Sequence, residues 1–365
     1  MTYKHLLKIL GNGYTPYIKV GYTQCVYLGV SANTMTAPFR HMTEFSIIMK
    51  MTKITLCQQD DLESELIKKE FNEDYPCHIY FICKRPRVII NPDKCKFQGN
   101  IMELNFSIQK GYDFQERTLK LRGQSDCSNF KIHSKFPFTW FQVTVNGNEI
   151  INARSSLYYI KHLRNYDTEM DLELLYIGQS YGVNGARTSP DRLKEHKTLQ
   201  KIYSEAIQNN PDFDIWLNLL SFERIMITSF DGINKYPEEN RDTDIKSIST
   251  AMNKFMTNNL NEQQIINFTE ASLIKYFKPK YNIEYKDKFP NPAHKSYSEC
   301  YDLNVNSVCF ELETDVIYTR LFTKEMKPAF EHCGSFTMET RSKRISMFDI
   351  LDNSIQNDHI NIKIE

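Results

Sequence analysis

Six side chains spread over residues 158–282 have the types needed to act on a phosphodiester. Hydrolysis of that bond requires an activated water, a partner for the charge that develops on the phosphoryl oxygens, and a route for the leaving oxygen. Arg192 can grip a phosphate through two donors and stays charged throughout. His196 can relay a proton near neutral pH, and its i, i+4 spacing from Arg192 puts both on one face of a helix. Glu270 borders the apolar side marked by Ile266, Leu273, Ile274 and Phe277, where a carboxylate requires a partner. Tyr158 and Tyr176 carry phenols that ionise near pH ~10, so either needs a cation or an arginine beside it to act as a base. Asn282 follows Pro279-Lys280-Tyr281. Taken singly, each has a plainer reading: solvated helix charges, a salt-bridged carboxylate, core aromatics and a turn asparagine.

The elements that must position them follow from the pattern. Ser156-Leu157-Tyr158-Tyr159-Ile160 and Leu174-Leu175-Tyr176-Ile177 read as strands, joined by a polar connection over 161–171. Ser189-Pro190 opens a helix, serine as N-cap and proline at the first position, that runs to Asn209-Asn210 and stops at Pro211. Asp214 to Phe222 reads as a strand. Residues 247–277 read as helical, in two pieces broken at Asn258-Asn259, the second carrying Glu270.

The order Tyr176-Ile177-Gly178, then Asp191 to His196, then Phe268 to Asn282 resembles the GIY-YIG nuclease family, over about residues 153–285. Ser156-Leu157-Tyr158 stands where Gly-Ile-Tyr is usual, and Tyr159 could be the facing residue instead of Tyr158. The resemblance implies an α/β fold, a small antiparallel sheet flanked by helices, with additional β-rich flanking regions. It implies Tyr158 as general base towards water, Tyr176 as the group that orients or relays, and Arg192 and His196 beside them. It makes Glu270 the holder of a single divalent cation, for which magnesium suits oxygen ligation, and gives Asn282 a fixing hydrogen bond. Lys275, Lys278 and Lys280, interleaved with Tyr276, Phe277 and Tyr281, suit a phosphate backbone. The long connections between the motifs and before the helix are of the kind found in restriction-enzyme members. The implied function is metal-dependent endonucleolytic cleavage of double-stranded DNA, in restriction or phage defence. Two alternatives remain open: a non-catalytic nucleic-acid-binding or sensor protein keeping the nuclease fold, and a structure-specific DNA or RNA nuclease.

Four segments are expected: an extension over 1–50, a β-rich domain over 51–150 for substrate recognition, the nuclease domain over 151–290, and a β-rich region with a polar tail over 291–365. The β-rich reading rests on runs such as His78-Ile79-Tyr80-Phe81-Ile82-Cys83, Ile101 to Ile108, Thr139 to Val145 before Asn146-Gly147-Asn148, and Ser307 to Leu312. A helical pattern with Leu62, Leu66, Ile67 and Phe71 precedes them. Formal net charge is zero, so a nucleic-acid surface has to be a local patch. No apolar run approaches the ~18 residues that span a bilayer. Nine scattered cysteines without CxxC pairs suggest a reduced, cytoplasmic protein. Cys77, His78, Cys83 and Cys95 lack finger spacing, which argues against zinc. A homo-oligomer is left open.

Overall fold

The computed structural model describes residues 43–338, apart from 73–74, 123–129, 164, 182–188, 194–195, 231–237, 258–260, 292, 304 and 306. The expected extension over 1–50 and the polar tail therefore lie largely outside the described residues. The chain is a mixed α/β protein, rich in strand, built on one seven-stranded sheet. Its strands are β1 (Thr43–Cys57), β2 (Ile79–Pro86), β10 (Leu172–Gln179), β11 (Phe213–Phe230), β12 (Ser307–Glu313), β13 (Leu321–Phe322) and β14 (Glu331–Thr337), in the order β13-β10-β2-β11-β1-β12-β14. Pairing is antiparallel except at β1/β12 and β10/β13.

The sequence of β2 explains its central place. Its Ile-Tyr-Phe-Ile-Cys run is apolar on both faces, as a strand covered on both sides must be. Ile79, Phe81 and Cys83 enter one core with Trp216, Leu172, Leu174 and the helix α6 (Glu262–Phe277). Tyr80 and Ile82 enter the other, with Leu175, Leu217, Leu219 and with Leu199 and Ile202 of α4 (Lys197–Asn209). At its start α6 is capped by the Asn261 side chain, and it ends at Lys278 in the left-handed region (φ 47°) just before Pro279.

This sheet corrects three expectations. It is neither small nor wholly antiparallel. The boundaries at 150/151 and 290/291 do not separate sheets, because β1 and β2 from the first segment, β10 and β11 from the second, and β12 to β14 from the third share one ladder. A unit of 151–290 alone would lack the strand that pairs with both β10 and β11.

Between β2 and β10 the chain makes an excursion. It forms one sheet of β3 (Val88–Ile90), β4 (Lys96–Gln98), β5 (Ile101–Lys110) and β6 (Asp113–Arg122). A second, three-stranded sheet holds β7 (Phe130–His133), β8 (Trp140–Val145) and β9 (Asn148–Arg154), followed by α2 (Ser155–Lys161). Leu104, Phe106, Ile108, Phe141, Val143, Tyr159 and Ile160 form its own core. Asn146 and Gly147, both at positive φ, make the two-residue turn that suits the twist of a hairpin. Residues 156–160 are thus helical rather than extended. Their apolar run is too short to distinguish the two periods, and Ser156, Tyr159 and Ile160 are buried at i, i+3, i+4.

The remaining helices are α1 (Glu65–Glu70), α3 (Ser189–Leu193), α5 (Glu238–Met256) and α7 (Ser298–Asp302). No helix among the described residues is long and apolar enough to cross a membrane.

Candidate active site

Two tyrosines meet across the β2/β10 ladder. Tyr80 lies opposite Gly178 and Ile82 opposite Tyr176, so both phenols project on the same face. Their ring centroids are 6.3 Å apart. Gly178 makes the approach possible: a Cβ there would lie 2.4 Å from the Tyr80 hydroxyl oxygen and 2.7 Å from a Tyr176 ring carbon. Neither ring has room to retreat, since Tyr80 is fully buried and Tyr176 is half-buried against the same core.

His196 closes the group from above. It is the N-cap of α4, where its Nδ1 accepts the Leu199 N–H (3.1 Å), while its Nε2 lies 2.8 Å from the Tyr80 hydroxyl. With Nδ1 occupied as an acceptor, the neutral ring carries its proton on Nε2 and donates it to the Tyr80 oxygen. The Tyr176 and His196 rings are 5.4 Å apart. The expected single helix is therefore two: α3 ends at Leu193, and the His196 side chain caps the next. Arg192 and His196 reach the tyrosines from separate helices, not from one helical face. The Arg192 guanidinium is within hydrogen-bonding reach of the Tyr80 hydroxyl and favours its ionised form.

Glu270 arrives over the open edge of β10. That edge is covered in sequence by β13 at Leu172 and Glu173, by the Tyr281 N–H on the Leu175 carbonyl (3.0 Å), by Asn282, and by Glu270, which accepts the Gln179 N–H. Asn282 is a two-point clamp: its Oδ1 accepts the Ile177 N–H (2.9 Å) and its Nδ2 donates to the Ile177 carbonyl (2.8 Å). This is a strand-like pairing of a side chain with the residue between Tyr176 and Gly178. Burial pushes the Glu270 carboxyl up to about 8, with Arg192 opposing and Glu284 adding to the rise. Burial also raises the phenols of Tyr80 and Tyr176, each with Glu270 adding to the rise and Arg192 opposing. Tyr80 lies within hydrogen-bonding reach of Tyr176 and eases its ionisation.

The set is short of positive charge. A carboxylate and two phenols share one arginine, and a divalent cation on Glu270 would relieve all three. No cluster of three or more His, Cys, Asp or Glu exists among the described residues, so a cation here would rest on Glu270 and waters, a coordination that magnesium tolerates.

Tyr158 is not part of the group. It sits on α2 in the excursion, stacked on His162 (centroids 4.0 Å) and edge-on to Phe141. Tyr159 is no substitute: its hydroxyl donates to Asp167 (2.8 Å) within the same core. The tyrosine that meets Tyr176 from the neighbouring strand is Tyr80, in His78-Ile79-Tyr80, far from Tyr176 along the sequence. The usable signal was the unbroken apolar run of β2, which marks the strand able to lie beside another buried strand.

The three lysines are less directly placed. Lys278 pairs with Glu325 (3.3 Å). Lys280 reaches Glu205 (3.5 Å) and the Tyr281 hydroxyl (3.2 Å) and lines a cavity of about 180 Å³ with Lys84 and Glu173. Lys84 is four residues along β2 from Tyr80, a strand distance of about 13 Å. Lys275 is half-buried in the last turn of α6. Cys77, Cys83 and Cys95 are free thiols, and His78 bonds the Ser180 carbonyl (2.7 Å). No family model, curated protein or solved structure matches the chain.

Proposed function

We propose that the chain is a divalent-cation-dependent nuclease that hydrolyses phosphodiester bonds. The observation that carries this reading is the convergence of Tyr80, Tyr176, Arg192, His196 and Glu270 at one end of the β2/β10 pair. Structural ion pairs also gather charge, but two facing phenols, a tautomer-fixed histidine and a carboxylate of raised proton affinity have no evident packing purpose together.

In this reading the roles of the tyrosines differ from those first expected. His196 donates to Tyr80, and Tyr80 can in turn donate to Tyr176, so the chain of donors ends on the half-buried phenol. Tyr176 therefore first loses its own proton to solvent, Tyr80 and His196 stabilise the resulting phenolate by donating towards it, and the phenolate then takes the proton from the attacking water and returns to the phenol. Arg192 holds a non-bridging phosphoryl oxygen and balances the charge of the transition state. Glu270 would hold magnesium, which when bound supplies Lewis-acid stabilisation at the phosphate. Asn282 fixes the backbone between Tyr176 and Gly178 and so sets the direction of the base. Double-stranded DNA is the proposed substrate class, and restriction or defence the proposed setting.

The test is to incubate purified protein with plasmid DNA and with RNA, with magnesium or with chelator. Magnesium-dependent cleavage is expected, lost in Tyr176→Phe and Glu270→Gln and retained in Tyr158→Phe. Full cleavage by Tyr176→Phe, or in excess chelator, would overturn the mechanism.

A further inference from the structure

The outward face of the β7-β8-β9 sheet has no role in the site described above. Residues 130–133 and 140–145 alternate: Phe130, Ile132, Phe141 and Val143 turn to the core of the excursion, while Lys131, His133, Trp140 and Gln142 turn outward. His133 and Gln142 lie opposite one another in register. The loop that follows β7 places Lys135 and Phe136 in solvent, Phe136 at 85 % exposure. Trp140 is 45 % exposed and its indole N–H is held by Asn152.

Three independent features argue against an ordinary solvated face. The first is charge: from Phe130 to Leu163 the chain carries Lys131, Lys135, Arg154 and Lys161 against the lone carboxylate Glu149. Arg154 is engaged by Asp60 and Asp61, whereas Lys131 and Lys135 enter no ion pair among the described residues. The second is the pair of exposed aromatic rings, Phe136 next to Lys135 in the loop and Trp140 with the Arg154 guanidinium on one side of its ring (5.2 Å) and the rest open to solvent. The third is rigidity. Phe138 holds a left-handed conformation (φ 64°) that is strained for its bulk. It is anchored by its N–H to Lys135 and by its carbonyl to Ile90 and the Ser155 hydroxyl. The aromatic loop is thus presented, not merely exposed.

Lysines flanking solvent-facing rings on a sheet suit a phosphate backbone whose bases are free to stack. We infer that this face binds an unpaired stretch of nucleic acid, with Lys131 and Lys135 on phosphates and Phe136 and Trp140 stacked on bases. A base in a closed duplex could not reach these rings, so the occupant is a single strand or an unpaired segment beside a duplex. Binding at this face stands independently of the nuclease reading. Its use, to direct cleavage towards nucleic acid with unpaired stretches, rests on that reading.

The chain has two tryptophans, and the other, Trp216, is buried at 1 % exposure, so emission quenching by a ligand reports on Trp140. Full-length protein in chelator, a condition in which the proposed function expects no cleavage, is titrated with labelled oligothymidine, with duplex DNA of equal length, and with heparin as a plain polyanion. Oligothymidine is expected to bind more tightly than duplex and to quench emission, and the quench is expected to vanish in Trp140→Leu. Phe136→Ala is expected to weaken binding roughly tenfold. Lys131→Ala and Lys135→Ala are each expected to lower the salt slope by about 0.7. Binding without quenching, equal affinity for duplex, or a Phe136→Ala protein that binds oligothymidine normally would each overturn the proposal. A separate magnesium cleavage assay distinguishes the two failures. Oligothymidine binding without any cleavage removes the nuclease reading alone, and cleavage without this binding removes the surface alone.

Discussion

Replacing Glu270 by glutamine isolates the most unusual group in the site. In the unfolded chain this carboxyl titrates at its ordinary value of 4.5, whereas in the folded protein burial holds it at about 8. Between those values the folded state keeps a proton that the unfolded state has released, so in chelator stability is lost as pH rises through that window. The difference amounts to about 3 kcal/mol at pH 7, and solvent at the half-buried carboxylate reduces it towards about 2 kcal/mol. Glutamine has the same shape and no titration, so Glu270→Gln should remove this slope and be the more stable protein at neutral pH. The assay is urea unfolding of both proteins between about pH 5 and pH 8 in chelator, then repeated in millimolar magnesium. Magnesium should restore stability to the wild type, because the cation binds the folded state alone, and should leave the variant unmoved. Parallel pH curves for the two proteins in chelator would refute the argument that Glu270 is a carboxylate in want of positive charge. An equal gain from magnesium in the variant would show that the cation sits elsewhere.

Further expectations follow from the same contacts. Cleavage should rise with pH from neutrality into the alkaline range, because the Tyr176 phenol is pushed above its ordinary value and each step of pH yields more phenolate; a flat profile with chemistry rate-limiting counts against a tyrosine base. Gly178→Ala should cost about 1–3 kcal/mol in thermal or urea unfolding and most of the activity, since the added methyl collides with Tyr80 and Tyr176. Asn282→Ala should cost about 2–3 kcal/mol by leaving the Ile177 N–H and carbonyl unpaired, and should lower kcat more than KM. Arg85 is fully buried over Trp216 (4.3 Å), and its three guanidinium nitrogens have no hydrogen-bond partner among the described residues. Arg85→Met should therefore raise stability by about 1–3 kcal/mol; a destabilised variant would mean that this cation has a partner in solution.

How much was legible beforehand depended on distance along the chain. Tyr176, Arg192, His196, Glu270 and Asn282 are named by their types and order along the sequence, and the fold brings them to one end of the β2/β10 pair. Tyr80 could not be reached by spacing, because its partner strand lies beyond an entire folded excursion. The helix break at Leu193 was hidden for a different reason. His196 looks like a residue on a helix face, and nothing in its type announces that its imidazole would stand in for serine or aspartate as an N-cap. The β-rich readings of Ile101 to Ile108, Thr139 to Val145 and Ser307 to Leu312 match strands, yet their assignment to separate domains does not match the sheet. Local pattern reports whether a segment is extended and says little about which ladder it joins.

The excursion leaves β2 after Pro86 and returns at Leu172, and Lys84 pairs across the ladder with Glu173, so its two ends come back to one point. For the main sheet this is the topology of a hairpin whose turn has been replaced by a folded body. The entropy of closing such a loop grows only with the logarithm of its length, about 0.6 kcal/mol for each doubling, and a loop that folds by itself costs less again. The two tyrosines are thus held to one another by strand pairing, while the stretch of chain between them is free to lengthen, shorten or be exchanged.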